Sequence, residues 1–251
     1  MKIALVQCPA WGRQNPPLAL AMLSAFLRSR GRDVYVFDLN NKLFHSVEDE
    51  RKGLWQLSNE SFWDNKASIE KFAAEYDELL NGFVDEVLET GATLIGFSVY
   101  SSSKEFSLLI AQKIKNIDRS KTIVFGGPQS APHMQGGQII NNESVDLIAV
   151  GEGEVTLSDI VESIIKNGQP DYCKGTWLKK NGKVIDCGKE DLVSDLNELP
   201  FANFEDFQLD SYSEPFRLPI YFSRGCVNRC VYCNENIFWK GYRSRSGARA
   251  F

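Results

Sequence analysis

Histidine is nearly absent from this chain. Only His45 and His133 occur among its 251 residues, and both lie far in sequence from the cysteine-rich segment near the C-terminus. Because structural zinc sites use four cysteine or histidine ligands, this scarcity disfavours a site that combines the two residue types. Cysteine is not abundant either, and six cysteines over this length do not make a disulfide scaffold.

Strong charge of one sign and long apolar runs are also missing. The formal net charge is −5 at pH 7, which gives no reason to expect a nucleic-acid partner. Residues 1–7 form too short an apolar run for a signal peptide or a membrane span. We therefore expect a cytoplasmic protein without a membrane span, and its 43% of hydrophobic residues is ordinary for a globular fold.

The chain does contain three cysteines within eight residues. Cys226, Cys230 and Cys233 are spaced C-x3-C-x2-C. Three thiolates on one short loop can hold three irons of a cubane cluster and leave the fourth iron open for a substrate or cofactor. A ferredoxin-type cluster needs a fourth cysteine shortly afterwards, and none follows. A zinc site needs a second C-x2-C pair or histidines, so the pattern favours an iron–sulfur cluster over zinc.

Upstream of this loop, short apolar runs alternate with amphipathic stretches over residues 1–168. The predicted strands are 2–7, 33–38, 93–99, 122–125 and 146–150, and the predicted helices are 17–29, 69–89, 103–117 and 155–166. This alternation is typical of βαβ units around a parallel sheet. Five such strands predict an α/β fold with a flavodoxin-like (Rossmann-like) sheet of order 2-1-3-4-5, which binds ligands at the carboxyl ends of its strands.

Small and polar residues stand at or after the ends of four predicted strands. The candidate cofactor contacts are Trp11 after the first strand, Ser98, Tyr100, Ser101 and Ser102 at the third, Gly126, Gly127 and Pro128 at the fourth, and Gly151, Glu152 and Gly153 at the fifth. Glycine lets a ligand approach the backbone, and hydroxyls or helix N-termini can receive a phosphate or an amide. Each segment alone is more often an ordinary turn, so their joint placement predicts the site.

A β-hairpin is predicted within residues 169–217. Asn181-Gly182 is a strong signal for a type I′ turn. In that register residue 178 faces residue 185, and Cys187 faces Thr176 rather than Cys173. A disulfide between the two cysteines is therefore not expected.

The cysteine loop resembles that of radical S-adenosylmethionine (SAM) enzymes, whose signature is C-x3-C-x2-C. The likeness includes Arg224-Gly225 before the loop, Tyr232 within it and the strand-like segment 218–222, whereas Val227 stands where many relatives have proline. The resemblance implies a [4Fe–4S] cluster on the three cysteines, SAM on the free iron and Tyr232 beside the adenine. It also implies an electron donor such as flavodoxin or ferredoxin, which drives cleavage of SAM to a 5′-deoxyadenosyl radical.

The chain as a whole resembles the N-terminal part of cobalamin-binding radical SAM proteins. The matching phrases lie at 15–20, 96–98, 124–128 and 150–154. The resemblance implies bound cobalamin and, in most relatives, methyl transfer from methylcobalamin to a small-molecule substrate under anaerobic conditions. The D-x-H-x-x-G motif of base-off cobalamin domains is absent, and Trp11 and Arg13 occupy the corresponding loop, so a cobalt–histidine bond is not expected.

The resemblance also divides the chain. It implies a cobalamin-binding-like domain over 1–168, a hairpin linker over 169–217 and the start of a radical SAM (β/α) partial barrel over 218–251. On this interpretation the chain is a fragment that is inactive alone. The aromatic insert 41–66 is predicted to pack on the first domain as a helical excursion, with a cap near the corrin or substrate as the alternative.

Two other functional interpretations stay open. One is a radical SAM enzyme whose N-terminal domain no longer binds cobalamin. The other is a non-catalytic flavodoxin-like module that ends in a zinc or iron–sulfur knuckle.

Overall fold

A computed structural model describes residues 1–189 and 192–250. It shows a mixed α/β fold with one seven-stranded sheet and a separate two-stranded ribbon. The sheet contains β1 (Lys2–Gln7), β2 (Asp33–Asp38), β3 (Leu94–Ser98), β4 (Thr122–Gly126), β5 (Leu147–Ala149), β6 (Thr176–Lys180) and β7 (Lys183–Asp186), and the ribbon contains β8 (Ser223–Arg224) and β9 (Arg243–Ser244). Among the described residues, no helix has the length and apolar content that a membrane crossing requires.

The sheet has the order β2-β1-β3-β4-β5-β6-β7. The first five strands of this order run parallel, and β6 and β7 add to the β5 edge as an antiparallel hairpin. The predicted five-stranded sheet is therefore too small, because the hairpin extends it by two strands. The addition has a physical reason, since it pairs the main chain of β5 and buries Leu178 to 3% exposure.

The register predicted for the hairpin is confirmed. Leu178 pairs with Ile185, and the Cys187 N–H donates to the Thr176 carbonyl at 2.9 Å. Asn181 and Gly182 both have positive φ, at 53° and 72°, as the two central residues of a type I′ turn require.

The helices fall on both faces of the sheet and in the C-terminal segment. They are α1 (Leu18–Ser29), α2 (Leu39–Ser46), α3 (Asp49–Lys52), α4 (Glu60–Trp63), α5 (Lys66–Glu75), α6 (Asp77–Glu89), α7 (Lys104–Ile117), α8 (Gly136–Asn141), α9 (Gly153–Asn167), α10 (Glu235–Trp239) and α11 (Gly247–Ala250). The prediction of a single helix over 69–89 is wrong, because the helical structure is interrupted at Tyr76. Asp77 and Glu78 then occupy the first turn of α6, where the helix dipole favours acidic residues.

Both faces of the parallel sheet are buried, as its apolar strands require. Along β1 the side chains alternate, so that Ala4 and Val6 belong to one hydrophobic core and Ile3 and Leu5 to the other. The first core includes side chains of α5, α6 and α7, and the second includes side chains of α1 and α9.

The aromatic insert packs on the first of these cores, as predicted. Trp63 is 1% exposed, and its ring lies 5.7 Å from that of Phe72 and 6.1 Å from that of Phe106. Its indole N–H donates to the Leu54 carbonyl at 2.7 Å, so the polar atom of this buried ring is satisfied.

The strand-like segment 218–222 does not form a strand. The ribbon begins only at Ser223, while Leu218 and Ile220 are 43% and 59% exposed. Pro219 has no N–H to donate to a ladder, and no neighbouring strand covers these side chains among the described residues. The part of the chain from 218 to 250 contains the β8–β9 ribbon and two short helices, without a (β/α) barrel unit.

The first testable prediction concerns the turn after β4. Gly127 has φ 100° and ψ 175°, a region open essentially to glycine alone, and an added Cβ would lie 2.8 Å from the Val99 carbonyl oxygen. We expect Gly127→Ala to lower the free energy of unfolding by about 1–3 kcal/mol in urea denaturation. Gly137→Ala is the control, because Gly137 lies in α8 with open space around its Cβ position. Alanine there should stabilise by up to about 1 kcal/mol, and equal losses at both positions would contradict the argument.

Candidate functional site

A cavity of about 460 Å³ lies at the carboxyl edge of the sheet, against α1 and the start of α9. Much of its lining is apolar, with contributions from Leu5, Met22, Leu23, Val124 and Leu157. Its volume and lining are those of a small-molecule or cofactor site, and the carboxyl edge is where doubly wound sheets bind ligands.

Glycine keeps this cavity open at two points. A Cβ on Gly96 would lie 3.1 Å from Cδ2 of Leu5, and one on Gly153 would lie 3.0 Å from Cδ2 of Leu23. Both leucines line the cavity, so larger residues at these positions would push their side chains and take up its space.

Eight of the predicted cofactor contacts do line the cavity. They are Ser98, Tyr100, Gly126, Gly127, Pro128, Gly151, Glu152 and Gly153. Burial raises the pKa of Tyr100, so its hydroxyl remains protonated at neutral pH and can donate a hydrogen bond. The joint placement that the sequence predicts is therefore found for three of the four strand ends.

The other predicted contacts lie outside the lining. The Trp11 ring stacks on Tyr100 with 4.2 Å between centroids, which places it behind a cavity residue. Ser102 donates to the Ala10 carbonyl at 2.7 Å, and Ser101 faces Glu60 at 3.4 Å, so both hydroxyls serve the loop structure. Tyr232 is 88% exposed on the cysteine loop.

The C-terminal segment forms one wall of the cavity, which the sequence did not predict. Tyr221, Arg224, Gly225, Phe238 and Trp239 all line it. The Arg224 guanidinium also stacks near two aromatic rings, at 4.8 Å from the centroid of Tyr221 and 5.1 Å from that of Trp239.

A buried cluster of four charges joins this wall to the sheet. Arg224 Nη1 lies 3.1 Å from a carboxylate oxygen of Glu152 and 3.2 Å from one of Glu154. Its second terminal nitrogen contacts Glu154 and the Tyr221 hydroxyl, and Arg243 pairs with Glu152. The side chains of Arg224, Glu152 and Glu154 are 4%, 1% and 5% exposed. We call Arg224, Arg243, Glu152 and Glu154 the clamp.

The charges of the clamp balance. Burial works to lower the pKa of Arg224, but the carboxylates of Glu154 and Glu152 outweigh it and raise that pKa above its usual range. Arg224 therefore stays protonated. Sequence alone gives one signal for the pairing, namely two acids at 151–154 and an excess of arginine after 223, but it does not say which charges meet.

The three cysteines of the loop are accessible to different extents. Cys230 is exposed, whereas Cys226 and Cys233 are half-buried, and the Asn228 N–H points at the Cys226 sulfur at 3.4 Å. Within residues 1–189 and 192–250, no three Cys, His, Asp or Glu side chains are grouped so that they could hold a metal ion. The thiols share one loop but are not drawn together.

The donor chemistry of this loop nevertheless fits an iron–sulfur cluster, since it offers three thiols and a backbone N–H directed at a sulfur. Cys8, Cys173 and Cys187 are buried elsewhere, and burial raises the pKa of Cys8 to about 12. Cys8 is thus a small apolar core residue, as expected.

The fold and site together define an α/β protein with a cofactor-sized cavity beside a three-cysteine loop. No protein-family model matches the chain. An uncharacterised methyltransferase of Pyrococcus horikoshii is 26% identical over 262 aligned positions, which cover 99% of this chain and 49% of the relative. The anaerobic magnesium-protoporphyrin IX monomethyl ester cyclase of Synechocystis sp. is 24% identical, over 92% of this chain and 40% of its own.

Two solved structures of radical SAM enzymes with cobalamin bound share this fold. OxsB, with aqua-cobalamin and SAM bound, superimposes with a TM-score of 0.70 at 20% identity, over 99% of this chain and 30% of its own. TsrM from Kitasatospora setae, with cobalamin and a [4Fe–4S] cluster bound, gives 0.65 at 16% identity, over 99% and 45%. The expected resemblance is confirmed for the fold. The chain spans about half the length, or less, of the curated relatives it matches.

The second prediction concerns the clamp. Glu154→Gln leaves an uncompensated buried positive charge, so we expect the free energy of local opening of the β8–β9 ribbon to fall by up to about 3 kcal/mol. The measurement is native-state hydrogen exchange at the Arg245 amide, which donates to the Phe222 carbonyl at 2.7 Å.

The control is Glu162→Gln on the same helix. Glu162 is 55% exposed and pairs with Arg32 at the surface, so its loss should cost no more than about 1 kcal/mol and leave the ribbon amides unchanged. Equal protection of the Arg245 amide in both variants would refute the role of the buried charges.

Proposed function

We propose that this chain is the cofactor-binding part of a B12-dependent radical SAM enzyme. The observation that supports this most strongly is the shared wall, in which the segment that carries the three cysteines closes one side of the cavity at the sheet edge. Two cofactors that react together must lie side by side, and this arrangement brings their two candidate sites into contact. Because the chain spans about half of its curated relatives or less, the activity proposed is that of the whole protein.

The cavity is the proposed site for cobalamin. Its volume of about 460 Å³ is too small for a corrin ring with its side chains but suits the aromatic base of the nucleotide tail. The apolar side chains of Leu5, Val124 and Leu157 would surround the base, and the corrin would lie outside at the strand ends. Ser98 and Tyr100 offer hydroxyls to its amides there.

The cysteine loop is the proposed site for the cluster and SAM. Cys226, Cys230 and Cys233 would hold three irons, and Tyr232 is free to pack on the adenine because its ring is exposed. The bound groups would supply a 5′-deoxyadenosyl radical and a transferable methyl group for an unactivated carbon. The chain's own contribution is to hold the two sites together and to exclude water with the apolar lining.

The wider proposal follows from this chemistry. The substrate is a small molecule, and the cluster needs an electron from a donor such as flavodoxin or ferredoxin in a reducing, oxygen-poor cytoplasm. We further propose that the chain divides into a cobalamin domain at 1–168, a linker at 169–217 and the start of the SAM domain at 218–251. The hairpin of that linker is then an extension of the first domain's sheet.

The third prediction tests the cluster. Anaerobic reconstitution with iron and sulfide should give broad visible charge-transfer absorbance and four irons and four sulfides per chain, as a [4Fe–4S] cluster requires. Replacing Cys226, Cys230 or Cys233 with alanine should abolish the absorbance, because each thiolate anchors one iron. Cys173→Ala is the control, since Cys173 is buried outside the loop. One equivalent of zinc without sulfide would support the knuckle instead.

The fourth prediction tests the cavity. Ala149 is 6% exposed and lines it, so Ala149→Phe should fill the space and weaken cobalamin binding at least about tenfold, or about 1.4 kcal/mol. Binding is measured by titrating cobalamin against tryptophan fluorescence, with urea denaturation to check the fold.

The control is Ala67→Phe in α5, where the side chain is exposed and far along the chain from the cavity residues. Equal affinity in the two variants would show that the tail does not enter the cavity. Failure of the unsubstituted chain to bind cobalamin at all would favour an enzyme whose N-terminal domain has lost that cofactor.

A further inference from the structure

We propose that Arg224 is a positioning residue that fixes the cysteine loop against the cavity, with Glu152 and Glu154 as its receptor. This inference rests on the proposed function and adds a role for the turn at 151–154. The two acids of that turn hold the loop that carries the cluster, whereas the sequence suggested that Glu152 contacts a cofactor.

The geometry of its pairing with Glu152 and Glu154 gives the Arg224 side chain a defined orientation. One guanidinium reaches both carboxylates, with Nη1 at 3.1 Å from Glu152 and 3.2 Å from Glu154, while its other terminal nitrogen contacts Glu154 and Tyr221. A planar fork with five donors can make this set of contacts, but a lysine ammonium on a flexible stem cannot reproduce its orientation. The contacts therefore define a direction for the side chain as well as a charge.

The positions of these residues in the chain connect the cysteine loop to the sheet. Arg224 lies two residues before Cys226, and the two acids lie at the junction between β5 and α9. The clamp thus connects the first cysteine to the rigid edge of the sheet by one side chain. Strand β9 is attached to the same turn, because its Arg243 pairs with Glu152. Arg243 also donates to the Val193 carbonyl at 2.6 Å.

The backbone between Arg224 and Cys226 is closely packed at Gly225. Gly225 has φ 77°, and an added Cβ would lie 2.0 Å from the Gly241 carbonyl oxygen and 3.3 Å from Cβ of Trp239. The backbone between Arg224 and Cys226 therefore passes directly against the segment after α10. Once the arginine is held, this contact fixes the course of the chain to the first cysteine.

Few other side chains of the segment are buried. Between residues 218 and 249, Arg224 and Arg245 are the only described residues that are buried, each at 6% exposure. Arg245 donates to the Leu199 and Pro200 carbonyls at 2.9 and 3.0 Å, so it ties the segment to the linker and not to the cavity. The clamp is thus the buried charged attachment of the loop to the cavity edge. A shift of about 1 Å between reacting groups can cost about a hundredfold in rate.

The test compares Arg224→Lys with Arg28→Lys, two changes of the same chemistry. Arg28 also makes a two-point contact with a carboxylate, at 2.6 and 2.7 Å from Asp206, but it joins α1 to the linker away from the cysteine loop. The first measurement uses the metal-free chain. The alkylation rate of Cys226 relative to Cys230 is determined by mass spectrometry, so that Cys230 serves as the reference within each molecule.

We expect Arg224→Lys to raise this rate ratio at least about tenfold, which corresponds to a loss of about 1.4 kcal/mol in docking of the loop. Arg28→Lys should leave the ratio as in the unsubstituted chain. An unchanged ratio in Arg224→Lys would overturn the proposal, and so would an equal rise in both variants, which would indicate general loosening.

The second measurement uses the chain loaded with cobalamin and a reconstituted cluster. The magnetic coupling between reduced cluster and cob(II)alamin, observed by electron paramagnetic resonance, depends on the distance and orientation of the two centres. At saturating cobalamin we expect Arg224→Lys and Glu152→Gln to change or broaden this coupling to a similar extent, because both changes break the same pairing.

The outcomes separate this inference from the function on which it rests. Loss of cobalamin affinity in Glu152→Gln but not in Arg224→Lys would overturn it, because that result would make Glu152 a cofactor contact and not a partner of Arg224. Unchanged coupling in Arg224→Lys would overturn it as well. If the unsubstituted chain binds no cobalamin or cluster, the proposed function fails, and the alkylation ratio of the metal-free chain still decides whether Arg224 positions the loop.

Discussion

The pairing of Arg224 with two buried carboxylates is the interaction on which the arrangement of the candidate site depends. Removing four charged groups from water costs several kcal/mol each, and only close, well-directed pairing offsets that cost. The clamp meets this condition at the terminal nitrogens of its arginines, because two arginines face two glutamates and the Arg224 fork contacts both acids. Such pairing adds little net stability compared with apolar packing, but it has one favourable geometry. It therefore suits a junction whose orientation matters more than its strength.

The cavity has the opposite character. Its volume exists because Gly96 and Gly153 carry no side chains where Leu5 and Leu23 approach, and its lining is mostly apolar. A cavity of this kind can take an aromatic group without leaving polar atoms unsatisfied, and it contributes binding energy without fixing orientation. The apolar space can accommodate a ligand, and the directed charge pairing fixes the wall beside it.

Much of the fold could be predicted from the sequence, because buried parallel strands consist of short runs of apolar residues. Strand bounds agree with the structure to within two residues, and the Asn181-Gly182 turn fixes the hairpin register through its backbone requirement. The addition of the hairpin to β5 could not be predicted, since it depends on tertiary contacts that have no local pattern. The break at Tyr76 leaves only a weak local signal, the acidic pair Asp77 and Glu78 at the start of α6. The clamp is harder still to predict, because its paired residues stand 70 to 91 positions apart and any acid could have met any arginine.

The turn at 151–154 has two structural roles, one for its glycines and one for its acids. Its glycines and acids are adjacent in sequence, and proximity to a strand end suggested a single role in ligand binding. In the structure Gly151 has φ 79° and Gly153 leaves space for Leu23, so the glycines shape the cavity. The carboxylates of Glu152 and Glu154 turn instead to the arginines of the ribbon. Because the glycines and acids alternate, any change in the length of this turn would disturb both the cavity and its wall at once. The motif is thus better understood as a joint between the cavity and the segment that carries the cysteines than as a part of the cavity alone.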